Sequence, residues 1–251
     1  LENAVEAIAK ANRNSKFLLI DSPLLDAKGA IVTLPNVRTV VFKEEEGSFL
    51  AGALAAMVAP NKVGFVGGME IPLIQKFVVG FRAGVKTVNP NTKVLVQYTG
   101  SFDNISAGKQ IASDLISKGT QVIFHAAGSD GTGVIAAVKE ARAAGKNVYA
   151  IGVDSDQSHL APEAVLTSMI KRVDLMVYET IASVDQNSFT PGDRSVGLKE
   201  GAVELAEIKI DIDHKEAILK RLDELKAQIV DGRIRVPADR SAFDRFNPPA
   251  K

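Results

Sequence analysis

Short apolar runs alternate with longer stretches of helical periodicity along most of the chain. Four apolar runs begin at Val63, Val94, Val122 and Val148, at intervals of 31, 28 and 26 residues. Helical patterns fill the intervals at 73–88, 105–117 and 133–144. Continuous apolar runs are typical of strands that are buried on both faces. The pattern therefore predicts successive βαβ units and a parallel sheet with helices on both faces, an α/β fold.

Further elements flank this series. They are predicted helices at 1–11 and 49–57 and strands at 17–20 and 39–42 before it, and after it a strand at 165–170, helices at 173–183 and 214–230, and a hairpin of 195–198 with 202–206. A chain that leaves one sheet, builds a second and then returns is typical of a two-lobed, hinged protein. Such proteins bind ligand between the lobes and close around it.

The lobe boundaries follow from this layout. We predict a first lobe of residues 1–43 and 171–204, and a second lobe of residues 44–170 and 205–251. The first lobe would then contain too few strands to be stable by itself. We therefore expect that it is incomplete, and that an upstream strand–helix–strand is absent from this chain.

Composition narrows the functional classes. The 251 residues are 46% hydrophobic, which indicates a globular protein with a well-buried core. Lys+Arg and Asp+Glu both number 30, so the basic excess of a nucleic-acid-binding surface is absent. The chain has no Cys, which excludes disulfides, thiolate metal sites and a cysteine nucleophile. No apolar run reaches the roughly 18 residues of a membrane span.

Two aspartates and a lysine are the first candidate ligand residues. Asp21 and Asp154 each end a predicted strand, and Lys171 lies on a predicted crossing between lobes. Ligands of open α/β sheets gather at the carboxyl ends of the strands. Carboxylates there can accept charge-assisted hydrogen bonds from vicinal hydroxyls, and a lysine can neutralise them and donate to the ligand.

Two loops add further candidates. Phe102 follows the strand near Val94 and offers a flat apolar surface for a sugar ring or a base. Gly128 begins the segment GSDGTG, whose backbone can approach a ligand closely. This segment lacks the Lys-Ser/Thr of a phosphate-binding loop, which weakens a phosphate hypothesis.

Other chemistries have little support. Asp154 and Asp156 together could suggest calcium, but no further oxygen ligands lie nearby in sequence. The three histidines are scattered without Glu or Cys at ligand spacing, and no serine lies in a nucleophile elbow. We therefore predict no metal, no cofactor and no catalytic residue.

Several motifs in fixed order resemble a known family. They are VVFKEEEGSFLAG, KVGFVGGMEIPLIQKFVVGFRAG, GSFDN, AAGSDGTGV, IGVDSDQ and TSMIKRVD. The chain resembles, from Lys16 to Val236, the basic membrane protein family of extracytoplasmic lipoproteins. These are the PnrA-like solute-binding proteins of nucleoside ABC transporters.

The resemblance implies a type I periplasmic-binding fold and a nucleoside ligand, with a purine nucleoside favoured. By similarity, Asp21, Asp154 and Lys171 would hold the ribose hydroxyls and nearby groups, and Phe102 would stack on the ligand. Met69 and Gly128 would fall on loops that line the family's cleft. The family's N-terminal segment, with its second aromatic and its lipobox cysteine, has no counterpart in this chain.

The resemblance also implies partners and a location. The partners are a nucleoside and an ABC transporter permease. The location is outside the cytoplasm, with the membrane reached only through an N-terminal lipid anchor that this chain lacks. The leading hypothesis is that the protein captures a nucleoside outside the cytoplasm for uptake by an ABC transporter, and that it makes or breaks no covalent bond. A ligand-sensing domain of a transcriptional regulator with the same fold is the first alternative. A nucleoside hydrolase that uses Asp154 and Asp156 is the second alternative.

Overall fold

The computed structural model describes residues 2–26 and 28–248. In this part of the chain the helices are α1 (Glu2–Ala11), α2 (Glu44–Val58), α3 (Pro72–Val88), α4 (Ile105–Ser117), α5 (Asp130–Ala143), α6 (Val173–Asp185), α7 (Lys215–Val230) and α8 (Arg240–Asp244). The strands are β1 (Phe17–Ile20), β2 (Val37–Phe42), β3 (Lys62–Gly67), β4 (Lys93–Tyr98), β5 (Val122–Ala126), β6 (Tyr149–Asp154), β7 (Val165–Lys171), β8 (Gly192–Val196) and β9 (Val203–Leu205).

The chain divides into two compact units. Unit 1 comprises Leu1–Lys43 and Arg172–Val203, and unit 2 comprises Glu44–Lys171 and Glu204–Lys251. Each junction lies within one residue of a lobe boundary predicted above. Two residues differ, because Lys171, the last residue of β7, and Glu204 both belong to unit 2.

Unit 1 is built on three parallel strands among its described residues, in the order β1-β2-β8. Its core contains Ala9 of α1, Leu19 of β1 and Val37 of β2. The guanidinium of Arg38 is also buried, where it donates to the Thr190 carbonyl at 2.9 Å and lies over an aromatic ring. Burial lowers the pKa of Arg38 from its ordinary value.

The predicted hairpin of residues 195–198 and 202–206 is wrong. The turn between these segments exists, and Gly201 donates to the Leu198 carbonyl at 3.1 Å. The flanking strands, however, belong to different sheets, because β8 pairs in parallel with β2 while β9 lies beside β7. The turn is therefore part of a crossover from one sheet to the other, which turn residues alone do not distinguish from a hairpin.

Unit 2 contains a six-stranded sheet in the order β4-β3-β5-β6-β7-β9. The pairings from β4 through β7 are all parallel. Alternate residues of β3 point to opposite faces. Phe65 meets Phe81 of α3, with ring centroids 5.9 Å apart, whereas Val66 joins the core formed with α4 and α5. Helices therefore cover both faces, as the sequence predicts for an α/β fold.

Helices α2 and α3 pack with their backbones in close approach. A Cβ at Gly84 would lie 1.9 Å from the carbonyl oxygen of Phe49, and one at Gly52 would lie 2.0 Å from that of Phe81. The two glycines thus allow a contact that no larger residue could occupy. None of the helices in residues 2–26 and 28–248 has the length and hydrophobicity of a membrane-spanning segment.

Candidate functional site

Five of the six predicted ligand residues lie along one edge of the sheet in unit 2. Phe102 follows β4, Met69 follows β3, Gly128 follows β5, and Asp154 and Lys171 end β6 and β7. Because these strands are parallel neighbours in that order, the five residues line the carboxyl edge of the sheet. The sixth, Asp21, follows β1 at the carboxyl edge of the sheet in unit 1.

The carboxyl edge in unit 2 contains a topological switch point. Strands β3 and β5 are neighbours, but the chain proceeds from β3 to β4 on one side and from β5 to β6 on the other. The connections after β3 and β5 therefore lead to opposite sides of the sheet. In open α/β sheets such a switch point is the usual place of a ligand.

Phe102 lies at the switch point. A Cβ on Gly68, which follows β3, would come within 2.3 Å of the Phe102 ring. A Cβ on Gly128, which follows β5, would come within 3.0 Å of the Phe102 carbonyl oxygen. The ring therefore rests directly on backbone at the ends of these strands, and it is only half-buried. Neighbouring Met69 is 45% exposed, so an accessible apolar surface lies at this point.

The loop that carries Phe102 is fixed to the start of α5. Ser129 donates its backbone N–H to the Phe102 carbonyl at 2.9 Å, and the N–H of Asn104 donates to the Asp130 carboxylate. Asn104 also caps α4 by accepting from Ala107 at 3.1 Å. These bonds hold the ring in place before any ligand arrives, which lowers the ordering cost of binding.

Both predicted strand-tip aspartates have left-handed backbone. The φ angle is 70° at Asp21 in unit 1 and 67° at Asp154 in unit 2. Residues other than Gly adopt this conformation rarely, although Asp tolerates it better than most. Strained backbone of this kind clusters at functional sites. The Asp154 side chain is exposed at its strand tip, and Asp21 is half-buried.

Asp156 has a different role from Asp154. Its carboxylate accepts from Lys209 Nζ at 2.8 Å and from the Ser158 backbone N–H at 2.9 Å. The bond from Lys209 is the main reason that the pKa of Asp156 falls to about 2. Asp156 therefore fixes the loop after β6. Within residues 2–26 and 28–248 no group of three or more His, Asp or Glu side chains is arranged to hold a metal ion.

Lys171 is a buried member of an ion-pair group. Its Nζ lies 3.3 Å from Glu44 Oε1, and Lys76 Nζ lies 3.1 Å from Glu44 Oε2. Glu44 is fully buried at the start of α2, where a carboxylate is favoured by the helix dipole. Helix α2 begins five residues before the predicted start at 49, and sequence alone does not indicate that Glu44 holds the candidate ligand residue Lys171.

The Gly-rich segment is unsuited to phosphate. The first-turn N–H groups of Asp130, Gly131 and Thr132 donate to carbonyls three residues earlier, each at 3.1 Å. The buried carboxylate of Asp130 also lies at this helix start, where it would repel an anion. This geometry, like the missing Lys-Ser/Thr, gives a phosphate hypothesis for GSDGTG little support.

Two buried ionisable groups were not predicted as part of the site. His125 on β5 is fully buried, and burial lowers its pKa to about 4. Glu45 beside Glu44 is buried, and burial raises its pKa to about 7. The Glu45 Oε2 atom has no hydrogen-bond partner among the described residues. Sequence alone does not show that either group is buried. The hydrogen-bond partner of His125 lies 32 residues away, and Glu45 Oε2 has none among the described residues.

Comparison with known proteins identifies what the chain resembles. The family model described as "ABC transporter substrate-binding protein PnrA-like" matches residues 1–240. A CD4+ T-cell-stimulating antigen of Listeria monocytogenes is 38% identical over 250 residues, which are 94% of this chain and 68% of that protein. An ABC transporter nucleoside-binding protein, BmpA of Lactococcus lactis subsp. cremoris, is 36% identical over 253 residues, which are 95% and 69%.

A solved structure agrees with these relatives. A solute-binding protein of an ABC transporter system from Aeropyrum pernix K1 superposes with a TM-score of 0.81 and 28% sequence identity. The match covers 97% of this chain and 77% of that one. Sequence and structure therefore point to the same class of protein, one that binds a solute and performs no bond chemistry.

Proposed function

The chain belongs to the PnrA-like family of ABC transporter substrate-binding proteins, and we propose that its solute is a nucleoside. Proteins of this family are not enzymes. They work outside the cytoplasm, bind a small molecule and deliver it to a membrane transporter. The nucleoside, and within that class a purine nucleoside, is our proposal for this chain.

The position of Phe102 carries this proposal. A half-buried aromatic ring seated on two glycines at a topological switch point gives the base of a nucleoside a rigid surface on which to stack. Stacking of this kind contributes about 1–3 kcal/mol per base in comparable sites. Met69 and Gly128 would line the same surface. The printed name of the Lactococcus relative, a nucleoside-binding protein, supports the same ligand class.

The charged residues would bind the sugar. Asp154, on the same carboxyl edge as Phe102, would accept hydrogen bonds from ribose hydroxyls. Lys171, held by Glu44, would donate to ring atoms or hydroxyls. Asp21 lies in unit 1, and its role toward the sugar stays a prediction from the family resemblance. A nucleoside is favoured over a nucleotide, because the start of α5 is a poor place for a phosphate group. The buried Asp130 carboxylate would repel it, and the N–H groups of Asp130, Gly131 and Thr132 already donate to carbonyls of the chain.

We further propose that the natural protein is tethered to the membrane by an N-terminal lipid. The motifs that resemble the lipoprotein family support this proposal. Metabolic labelling of the natural protein with a radioactive fatty acid tests it. Label on the natural protein is expected, and an unlabelled protein at the cell surface would contradict it.

Native mass spectrometry tests the ligand class directly. The protein is purified without denaturation, and its mass is compared before and after organic extraction. We expect a bound species that is lost on extraction and identified as a nucleoside. A bound amino acid, peptide or metal ion in its place would contradict the proposal.

A further inference from the structure

Asp154 lies at the centre of a tight three-residue turn. Ser155 donates its backbone N–H to the Val153 carbonyl at 2.8 Å, across Asp154. With a φ of 67° at Asp154, this turn is of the rare kind with positive φ, which is strained for a residue other than Gly. Something in the surroundings must hold the strained turn in place.

The side chain of Gln157 supplies one such constraint. Its Oε1 accepts the Val153 backbone N–H at 2.9 Å. The two backbone groups of Val153 are therefore both fixed, one by the Gln157 side chain and one by the turn itself. Gln157 thus closes the loop that carries Asp154.

Gln157 is in turn held by buried groups on both neighbouring strands. Its Oε1 lies 3.0 Å from His125 Nε2 on β5, and its backbone N–H donates to Ser168 Oγ on β7 at 3.0 Å. A Cβ on Gly152 of β6 would lie 2.5 Å from both Gln157 Oε1 and Ser168 Oγ, so Gly152 leaves the space that this network occupies.

The chemistry of this network assigns the proton on His125. An amide oxygen can only accept, so His125 Nε2 must carry the hydrogen that it shares with Gln157. The ring packs on the start of α5, where a Cβ on Gly131 would lie 2.1 Å from it. His125 is therefore a neutral, immobile donor, and the orientation of Gln157 follows from it.

We propose that Gln157, fixed by His125 and Ser168, is a positioning residue that sets the left-handed turn at Asp154 and through it the affinity for ligand. The proposal rests on the proposed function, since it takes Asp154 to be a ligand residue. Gln157 acts through Asp154 and makes no contact with the ligand. A structural role alone would stabilise unit 2 without an effect on binding.

Three variants separate these roles. Gln157→Leu removes the acceptor for the Val153 amide, and Gln157→Glu keeps an acceptor oxygen there. Thr87→Val removes a buried hydroxyl of α3 that donates to Ala83, away from the sheet edge, as a control for stability. Affinity for adenosine and inosine is measured by calorimetry. The Val153, Asp154 and His125 signals are followed by nitrogen-15 NMR with amide hydrogen exchange.

We expect Gln157→Leu to weaken affinity about tenfold, which corresponds to the loss of one hydrogen bond between a displaced Asp154 and the ligand. It should also shift the Asp154 amide signal and speed exchange at Val153. Gln157→Glu should restore both readouts and produce a doubly protonated His125 signal. Thr87→Val should lower the unfolding temperature with unchanged affinity.

Other results overturn the proposal. They are wild-type affinity in Gln157→Leu, an equal loss of affinity in Thr87→Val, or a failure of Gln157→Glu to restore binding. If the wild-type protein binds neither of these nucleosides nor guanosine, the proposed function is wrong, and the NMR signals still decide this inference. An unchanged Asp154 signal in Gln157→Leu would then refute it, and a shifted signal would support it.

Discussion

Asp154 and Asp156 are separated by one residue in sequence, but the folded chain gives them different surroundings. Asp154 is exposed in a left-handed conformation at a strand tip. Asp156 has its carboxylate bound by Lys209 and by the Ser158 backbone. The first arrangement is typical of a ligand residue, and the second is typical of loop structure. A substitution at Asp154 should therefore change ligand affinity, whereas one at Asp156 should not.

Asp154→Gly should lose ligand affinity without loss of stability. Glycine adopts the left-handed conformation freely, so the strain relieved offsets the entropy that it adds to the unfolded chain. We expect the free energy of unfolding to change by less than about 1 kcal/mol. Affinity should fall about tenfold or more with the lost carboxylate. Urea unfolding and calorimetry measure the two quantities.

Asp156→Asn is the matched control for this substitution. An exposed ion pair contributes less than about 1 kcal/mol, and ligand affinity should be unchanged. If Asp156→Asn reduced affinity while Asp154→Gly did not, the assignment of the two aspartates would be reversed.

Phe102 offers a second test at the level of single residues. Phe102→Leu keeps an apolar side chain but removes the flat ring, so we expect affinity for a nucleoside to fall about tenfold, within the range for stacking. Affinity for free ribose should change little, since the ring is proposed to meet the base. Equal losses for nucleoside and free ribose in parallel titrations would contradict a stacking role.

Helices α2 and α3 form the tightest contact between elements described above. Their approach depends on glycines, whose missing side chains let a carbonyl lie where a methyl group would be. Such a contact tolerates no added volume. Both helices are packed against the sheet, so neither backbone can shift to make room without disturbing that packing.

Gly84→Ala should therefore destabilise the protein by more than about 2 kcal/mol, through overpacking. Gly232→Ala is the control. Gly232 has a φ of 79° and no atom within 4 Å of its Cβ position, so only backbone strain of about 1 kcal/mol is expected. Chemical denaturation compares them, and equal losses would show that the close approach is not the cause.

The regular βαβ series was predictable from sequence because its signals are local. The apolar runs at Val63, Val94 and Val122 start within a residue of observed strands, and the helix 105–117 is confirmed at both ends. The hairpin was not predictable, because which sheet a strand joins depends on distant pairing. The five-residue helix α8 has too short a pattern to detect.

The candidate site was predictable in part for the same reason. Asp154 and Phe102 follow strong strand signals, so topology alone places them at the carboxyl edge. His125 and Glu44 act through partners 32 or more residues away, and Gln157 joins such a partner, His125, to the nearer Val153 and Ser168. The importance of these contacts depends on burial that only the folded chain defines.

The stability of the whole molecule depends on pH through two buried groups, His125 and Glu45, whose effects have opposite signs. His125 has a pKa of about 4 when folded and 6.5 when unfolded. Between these values the unfolded state binds more protons, so stability falls as pH is lowered. Glu45 has a pKa of about 7 when folded and 4.5 when unfolded. There the folded state binds more protons, so stability falls as pH is raised.

These two slopes should cancel between pH 4.5 and 6.5. Each amounts to about 1.4 kcal/mol per pH unit at most. In His125→Gln, stability should fall as pH rises from 5 to 6.5, and in Glu45→Gln it should rise over the same interval. Urea unfolding at several pH values measures the slopes. Thr87→Val, which removes no titratable group, should leave the slope unchanged, and equal slopes in all variants would contradict the assignment.

The ligand proposed for this protein is a nucleoside, bound through the Phe102 ring and the strand-tip carboxylate of Asp154. Calorimetric titration of the folded wild-type protein with inosine and with inosine 5′-phosphate measures this binding. We predict saturable binding of one inosine per chain and markedly weaker binding of the phosphorylated form. Absence of heat with inosine, adenosine and guanosine, while circular dichroism shows a folded protein, would contradict the claim.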